Sequence, residues 1–143
     1  MRSQLFQREE VADAAWERTV IFPAGIPGFP ALRRFRLISD PEFNPPFELL
    51  ASDEEPNVGF YLVDPTLVDE DYRPDVPDAD LQALLLRPND ELCLRAIVSV
   101  GEDATSTTAN LAAPVVLNLT AGLGIQAILE GPAYSLRTPL VVE

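Results

Sequence analysis

The sequence has no histidine, a single cysteine and no lysine. Without histidine it lacks the commonest general base and the commonest metal ligand. A lone cysteine excludes an intramolecular disulfide framework and any cysteine-rich zinc site. All ten basic residues are arginine, which removes Schiff-base chemistry and the phosphate-binding lysine of a P-loop. No apolar run approaches the roughly 18 residues of a membrane-spanning helix. Met1 to Val11 holds two arginines and two glutamates in place of a basic stretch followed by an apolar one, so the expected location is the cytoplasm. Much enzyme chemistry is excluded by these absences, and no cofactor is expected.

What is present is acid. Lys+Arg 10 against Asp+Glu 23 gives a net charge of −13 over 143 residues. Asp40, Glu42, Glu48, Asp53, Glu54, Glu55, Asp64, Asp69, Glu70, Asp71, Asp75, Asp78 and Asp80 crowd one stretch that only Arg73 opposes. Such a field repels nucleic acid and anionic membranes and attracts basic proteins. With a Debye length of about 8 Å at physiological salt, only a partner docking close feels it. The apolar fraction of 47% is that of a globular chain, and the length suits one domain, expected over residues 1–143.

Alternating apolar residues dominate. Val58, Phe60 and Leu62 share one face of a run that ends at Asp64-Pro65. Leu92, Leu94, Ala96, Val98 and Val100 share another, opposite Cys93, Arg95, Ile97 and Ser99. Further strands are predicted at 115–119 and 125–129, joined by a turn at 120–124, and at 3–8, 16–22, 35–39 and 47–51. One helix is predicted over 77–87, with Pro77 at its first position and Leu81, Leu84 and Leu85 as its apolar stripe. The fold class expected is all-β, a single small β-barrel-like domain of short antiparallel strands with one short helix.

Chemical motifs mostly fail their tests. Gly122-Leu123-Gly124-Ile125-Gln126-Ala127 matches the dinucleotide pattern, but alternation follows it where a helix is required, so a hairpin turn is the better account. Asp69-Glu70-Asp71-Tyr72-Arg73-Pro74 lacks the glycine and fifth-position ligand of a calcium loop. Nothing singles out a carboxylate pair for glycoside hydrolysis. The chain reads as a binding protein, not an enzyme, with no metal site. Phe22, Phe29, Phe35, Phe43, Phe47, Phe60 and Tyr61 are expected in the core. Two prolines and two glycines in Phe22-Pro23-Ala24-Gly25-Ile26-Pro27-Gly28-Phe29 predict a tight buried corner.

That last segment, with others in order along the chain, resembles the FliW family of flagellar assembly factors. The others are Pro46-Phe47-x-x-Leu50-x-Ser52, Phe60-x-x-Val63-Asp64-Pro65, Asp71-Tyr72 and Ile97-Val98-Ser99-Val100. They continue with Thr108-Ala109-Asn110-Leu111-x-Ala113-Pro114-Val115-Val116-x-Asn118, Gly124-x-Gln126 and Tyr134-x-Leu136-Arg137-x-Pro139-Leu140. Departures are Gln7 after Phe6, where the family often has glycine, and Ala51 before Ser52, where glutamine is common. The resemblance implies a cytoplasmic partner switch that is monomeric when free. It would bind flagellin and sequester the RNA-binding translational repressor CsrA, relieving repression of flagellin mRNA. The alternative is a dedicated acidic flagellin chaperone without repressor control.

Charge gives this behaviour a physical rationale, because a repressor that grips RNA is basic. Asp53, Glu54 and Glu55, with Asp69, Glu70, Asp71 and Asp75, are the candidate acidic docking surface. Flagellin is expected to lay an amphipathic helix in an apolar groove, for which Phe47, Leu50, Phe60 and Tyr72 are the candidates.

Overall fold

Alternation becomes strand wherever one face can be buried and proline or glycine closes the run. The computed structural model describes residues 15–42 and 45–140; the strand predicted at 3–8 and the core position of Phe43 lie outside them. Nine strands are described: β1 Trp16–Ile21, β2 Arg34–Ser39, β3 Glu48–Ser52, β4 Gly59–Val63, β5 Leu92–Ser99, β6 Thr108–Ala109, β7 Val115–Asn118, β8 Leu123–Gln126 and β9 Thr138–Pro139.

Hydrogen bonding runs β4-β3-β2-β1-β8-β7-β5, and β5 pairs back onto β4, so these seven strands close a barrel. The expectation of purely antiparallel strands needs one correction. β1 and β8 meet in parallel at Ile21 and Leu123. A ring with an odd number of strands cannot alternate direction all the way round, so one joint must be parallel. β6 and β9 extend the sheet beyond the ring: Val98 of β5 pairs with Tyr61 on one edge and Ala109 on the other.

The inner face of the ring is the main core, built from Val20, Phe22, Phe35, Leu37, Leu50, Leu62, Val115, Leu117 and Leu119, with Ile26 from the corner loop. Cys93 and Ile97 of β5 pack onto it. The other face of β5 contributes Ala96 and Val98 to a second cluster outside the barrel, with Val63, Tyr72, Ala109 and Leu111. Both faces of β5 are therefore covered, which is why its sequence is apolar on both.

The predicted helix is cut short. Helix α1 covers only Asp78–Gln82, with Pro77 as its N-terminal cap instead of its first residue. The following bonds tighten, Leu84 N–H to Leu81 C=O at 3.1 Å and Leu85 N–H to Gln82 C=O at 3.2 Å. Leu85 takes a φ of +52° and its side chain is exposed, leaving Leu84 buried with Val116 and Ala127. The fully buried Asn118 secures this end: its Nδ2 donates to Leu84 C=O at 2.9 Å and to Asp90 Oδ2 at 3.0 Å, and its Oδ1 accepts from Ala121 N–H at 3.1 Å. Thus a residue of the quoted signature acts here as a structural tie.

The glycine motif is a β7–β8 hairpin. Gly122 turns the chain at φ +73°, and the strand starts at Leu123, two residues before the predicted Ile125. A Cβ on Gly124 would lie 2.7 Å from Phe22 Cζ and 2.9 Å from Leu117 Cδ2, so this strand position must be glycine to admit the Phe22 ring. In the corner loop, Phe22, Gly25 and Ile26 are buried while Pro23, Ala24 and Pro27 to Phe29 face solvent.

Candidate functional site

The acidic residues do not form one block. Asp53, Glu54 and Glu55 lie in the connection that enters β4, and Asp69 to Asp75 in the connection that leaves it. Two of the first group are engaged with β2 and the residue before it. Asp53 pairs with Arg36 at 2.7 Å and Arg34 at 3.3 Å. Glu54 Oε1 accepts from the backbone N–H groups of Arg33 at 2.7 Å and Arg34 at 3.0 Å. Arginines therefore screen this end, a consequence of strand pairing between distant segments. In the second group Asp69 Oδ1 accepts from Asp71 N–H at 3.0 Å, and Glu70, Asp71 and Asp75 are exposed.

The four candidate groove residues separate as well. Leu50 has no exposed surface and belongs to the barrel core, because its face of β3 turns inward. Tyr72 is buried in the outer cluster, its hydroxyl donating to Leu111 C=O at 2.7 Å and its ring edge-on to Tyr134 at 4.6 Å. Neither lines a surface groove. Phe47 and Phe60 retain surface, but in two different hollows. Phe29 and Tyr61, expected in the core, are exposed.

The first hollow, about 540 Å³, is lined by Phe47, Tyr61, Val63, Leu67, Val68 and Val100 among others, with Thr107 as its polar residue. It lies where the outer faces of β4 and β5 meet the short 3₁₀ turn Pro65–Leu67, which Asp64 caps by accepting from Thr66 N–H. The second, about 460 Å³, is lined by Ile26, Pro27, Phe60, Asn110, Gln126 and Leu136 among others. Two of its polar side chains are tied to the backbone: Asn110 Oδ1 accepts from Ala112 and Ala113 N–H, and Gln126 Nε2 donates to Ala113 C=O. Ile128 and Leu136, each 64% exposed, stand at its mouth. Leu136 belongs to the quoted family segment and Ile128 to the run predicted as a strand, but neither was a candidate groove residue.

Among the described residues one charged pair is interior. Arg95 Nε donates to Glu48 Oε1 at 2.7 Å, with side-chain exposures of 18% and 13%. Burial works against the Arg95 charge, but Cys93, Glu48 and Asp64 outweigh it and its pKa is raised.

The shifted groups set the pH profile. The Arg34 and Arg33 backbone N–H groups hold Glu54 below the usual carboxylate range. Thr105 and Ser106 do the same for Asp103. A depressed carboxylate contributes stability that is present above its unfolded pKa and lost as pH falls through the folded one. Burial, aided by Tyr134, pushes Tyr72 from 10.0 up to about 12; its contribution is full below pH 10 and lost as pH rises toward 12. Thermal midpoints measured from pH 3 to 11.5 are expected to fall at both ends. Glu54→Gln flattens the acid limb and Tyr72→Phe the alkaline one; limbs unchanged in both variants would contradict these assignments.

Comparison with known proteins agrees with this architecture. The model of the FliW protein family matches residues 3–140. The flagellar assembly factor FliW of Symbiobacterium thermophilum is 43% identical over 119 residues, 83% of this chain and 86% of that protein. The protein of the same description from Thermotoga sp. strain RQ2 is 40% identical over 129 residues, 90% of this chain and 84% of its own. A crystal structure of the flagellar assembly factor FliW superposes with a TM-score of 0.80 at 34% identity, covering 87% of this chain and 86% of that one. With the motifs, the barrel and these relatives in agreement, the chain belongs to the FliW family of flagellar assembly factors.

Proposed function

We propose that this flagellar assembly factor is a non-enzymatic partner switch, a single-domain monomer when free in the cytoplasm. It binds flagellin and, when flagellin is absent, sequesters a basic RNA-binding repressor of the CsrA type. One observation carries the flagellin half. Ile26, Pro27, Asn110, Ala113 and Gln126, from three separate segments that bear the family resemblance, converge on one apolar hollow. With Phe60 on its wall and Ile128 and Leu136 at its mouth, the hollow suits the apolar stripe of an amphipathic helix. Its wall is mostly apolar, so an occupant is read chiefly by shape and apolar contact.

The repressor half rests on charge. Because Asp53 is paired with Arg34 and Arg36, the field falls to Glu54, Glu55, Asp69, Glu70, Asp71 and Asp75, a narrower surface than the sequence offered. That loss favours the alternative, a flagellin chaperone without repressor control, enough to make the distinction worth measuring. Calorimetric titration with the host's CsrA-type repressor, repeated after saturation with flagellin, separates them. Binding that flagellin abolishes is the expected result. Flagellin binding with no heat from the repressor would leave the chaperone reading. Exchanging Asp69, Glu70, Asp71 and Asp75 for their amides is expected to weaken the repressor alone, and Leu136→Ser flagellin alone.

A further inference from the structure

The second hollow has two amides set into its apolar wall, each held by one end. Asn110 Oδ1 accepts from Ala112 N–H at 3.0 Å and Ala113 N–H at 3.1 Å, while Gln126 Nε2 donates to Ala113 C=O at 3.0 Å. Turning either amide over would set donor against donor at Asn110, or acceptor against acceptor at Gln126. The network therefore fixes which atom is left over: Asn110 Nδ2 and Gln126 Oε1. Neither has a hydrogen-bond partner among the described residues. No buried side-chain nitrogen or oxygen of those residues lacks one, so both free ends reach solvent although their residues are half-buried. The backbone pins both positions as well, Asn110 N–H donating to Ile97 C=O at 2.9 Å and Gln126 pairing with Val115 in the β7–β8 ladder. An occupant thus meets one donor and one acceptor that are in place before it arrives, beside apolar neighbours such as Ile26, Phe60 and Leu129.

A group that satisfies both ends must accept and donate. A carboxylate suits Asn110 alone and sets its charge against Gln126 Oε1; an ammonium does the reverse. An aliphatic side chain strips water from both ends and replaces neither bond, which costs affinity. A carboxamide serves both. In a helical occupant the backbone amides are already bonded to one another, so the carboxamide must come from a side chain. We infer that this hollow reads an asparagine or glutamine set within the apolar stripe of the helix it seats, Asn110 Nδ2 donating to the carboxamide oxygen and Gln126 Oε1 accepting from its nitrogen. Asn110 and Gln126 are then specificity-determining residues as well as ties for Ala113. The inference deepens the flagellin reading and rests on it only for which protein carries the helix.

The probe is a set of fluorescein-labelled helical peptides with a leucine stripe at i, i+3, i+4 and i+7 and balanced lysine and glutamate on the opposite face. One stripe position at a time carries glutamine, glutamate, lysine or methionine, and each peptide is titrated into the full chain by anisotropy. At one position glutamine is expected to bind about tenfold more tightly than methionine, its apolar near-isostere, and than either charged residue. Asn110→Asp keeps an oxygen on the Ala112 and Ala113 N–H groups, so the tie survives while the free donor becomes an acceptor. That variant is expected to keep the circular dichroism spectrum of the natural chain and to move the preference from glutamine to lysine. Leu136→Ser, at the mouth of the hollow, is expected to weaken the whole set, and Val100→Ser, in the other hollow, to leave it within twofold. No binding by any peptide, equal affinity for glutamine and methionine at every position, or a glutamine preference unchanged by Asn110→Asp would overturn the inference. Titration with the host's flagellin separates the inference from the reading beneath it. Flagellin that binds the natural chain and the Asn110→Asp protein alike removes the carboxamide contact and leaves the flagellin reading. Glutamine selectivity that switches in the variant, with no heat from flagellin, keeps the contact and removes that reading.

Discussion

Arg95→Met is expected to cost about 3–5 kcal/mol of stability, because it strands the Glu48 carboxylate inside the protein. Glu48 is on the face of β3 that also carries Leu50, and Arg95 on the face of β5 that carries Cys93 and Ile97. The two strands are separated by β4, so the 2.7 Å bond spans a strand between residues 47 positions apart. Arg95 Nη1 also donates to Leu94 C=O at 2.8 Å. Removing the guanidinium leaves the Glu48 carboxylate without its charged donor and takes one donor from the Leu94 carbonyl. In a domain whose whole stability is of order 5–15 kcal/mol, this lowers the thermal midpoint by roughly 10–20 °C.

The companion variant decides what the pair is for. Glu48→Leu together with Arg95→Met replaces both charges by apolar groups of similar bulk, and buried pairs replaced in this way commonly give neutral or improved stability. The double variant is therefore expected within about 1 kcal/mol of the natural chain, or above it, giving a large coupling in the four-protein cycle. Urea denaturation followed by circular dichroism measures it. A loss below about 1 kcal/mol for the single variant would mean that water reaches the pair and screens it as it does a surface bridge.

The second large effect is expected from Phe22→Ala, about 3–5 kcal/mol. Phe22 is completely buried, meets Phe35 edge-on at 5.3 Å between ring centres, and lies over the backbone of Gly124. Its ring holds the corner loop, β2 and the β7–β8 hairpin in one contact, so truncation opens a cavity where three elements join. Gly124→Ala attacks the same contact from the other side. Its Cβ would need space that the ring occupies, and overpacking of this kind costs about 1–3 kcal/mol. In the Phe22→Ala background that space is vacant, so the second substitution should cost much less than it does alone. Denaturant midpoints of the four proteins test this directly. Costs that add to within about 0.5 kcal/mol would show that the hairpin moves away from the ring at no expense.

Most strands were legible because alternation is a local signal. β1, β4, β5 and β7 fall within the predicted runs and β2 and β3 overrun theirs by one residue, at Arg34 and Ser52, since each shows one apolar face over several residues. The errors also have local causes. At β8, counting apolar alternation from Ile125 missed that Leu123 and Gly124 already pair with Asn118 and Leu117, because a glycine carries no hydropathy signal. At α1, the leucine stripe continued on paper through Leu85, but the left-handed turn there is held by Asn118 from a strand more than thirty positions away. The candidate site was legible in its chemistry and not in its layout. Leu50 and Tyr72 turned inward, Asp53 was claimed by arginines of β2, and Glu54 by the backbone N–H groups of Arg33 and Arg34.

The absence of histidine, lysine and a second cysteine determined which chemistries are closed to this chain, and the surplus of acid determined the sign of its field. Periodicity determined that it is built from strands, and the ordered motifs that it is a flagellar assembly factor. These are properties of residue type and short-range order, which a sequence carries completely. Tertiary structure alone decided that seven strands close with one parallel joint. It also decided that Arg95 finds Glu48 across β4, and that exposed apolar residues from distant segments gather into two hollows. Each of those facts depends on which remote segment lies alongside, and strand register, in which a shift of one residue exchanges inside for outside, is set by the whole ring at once.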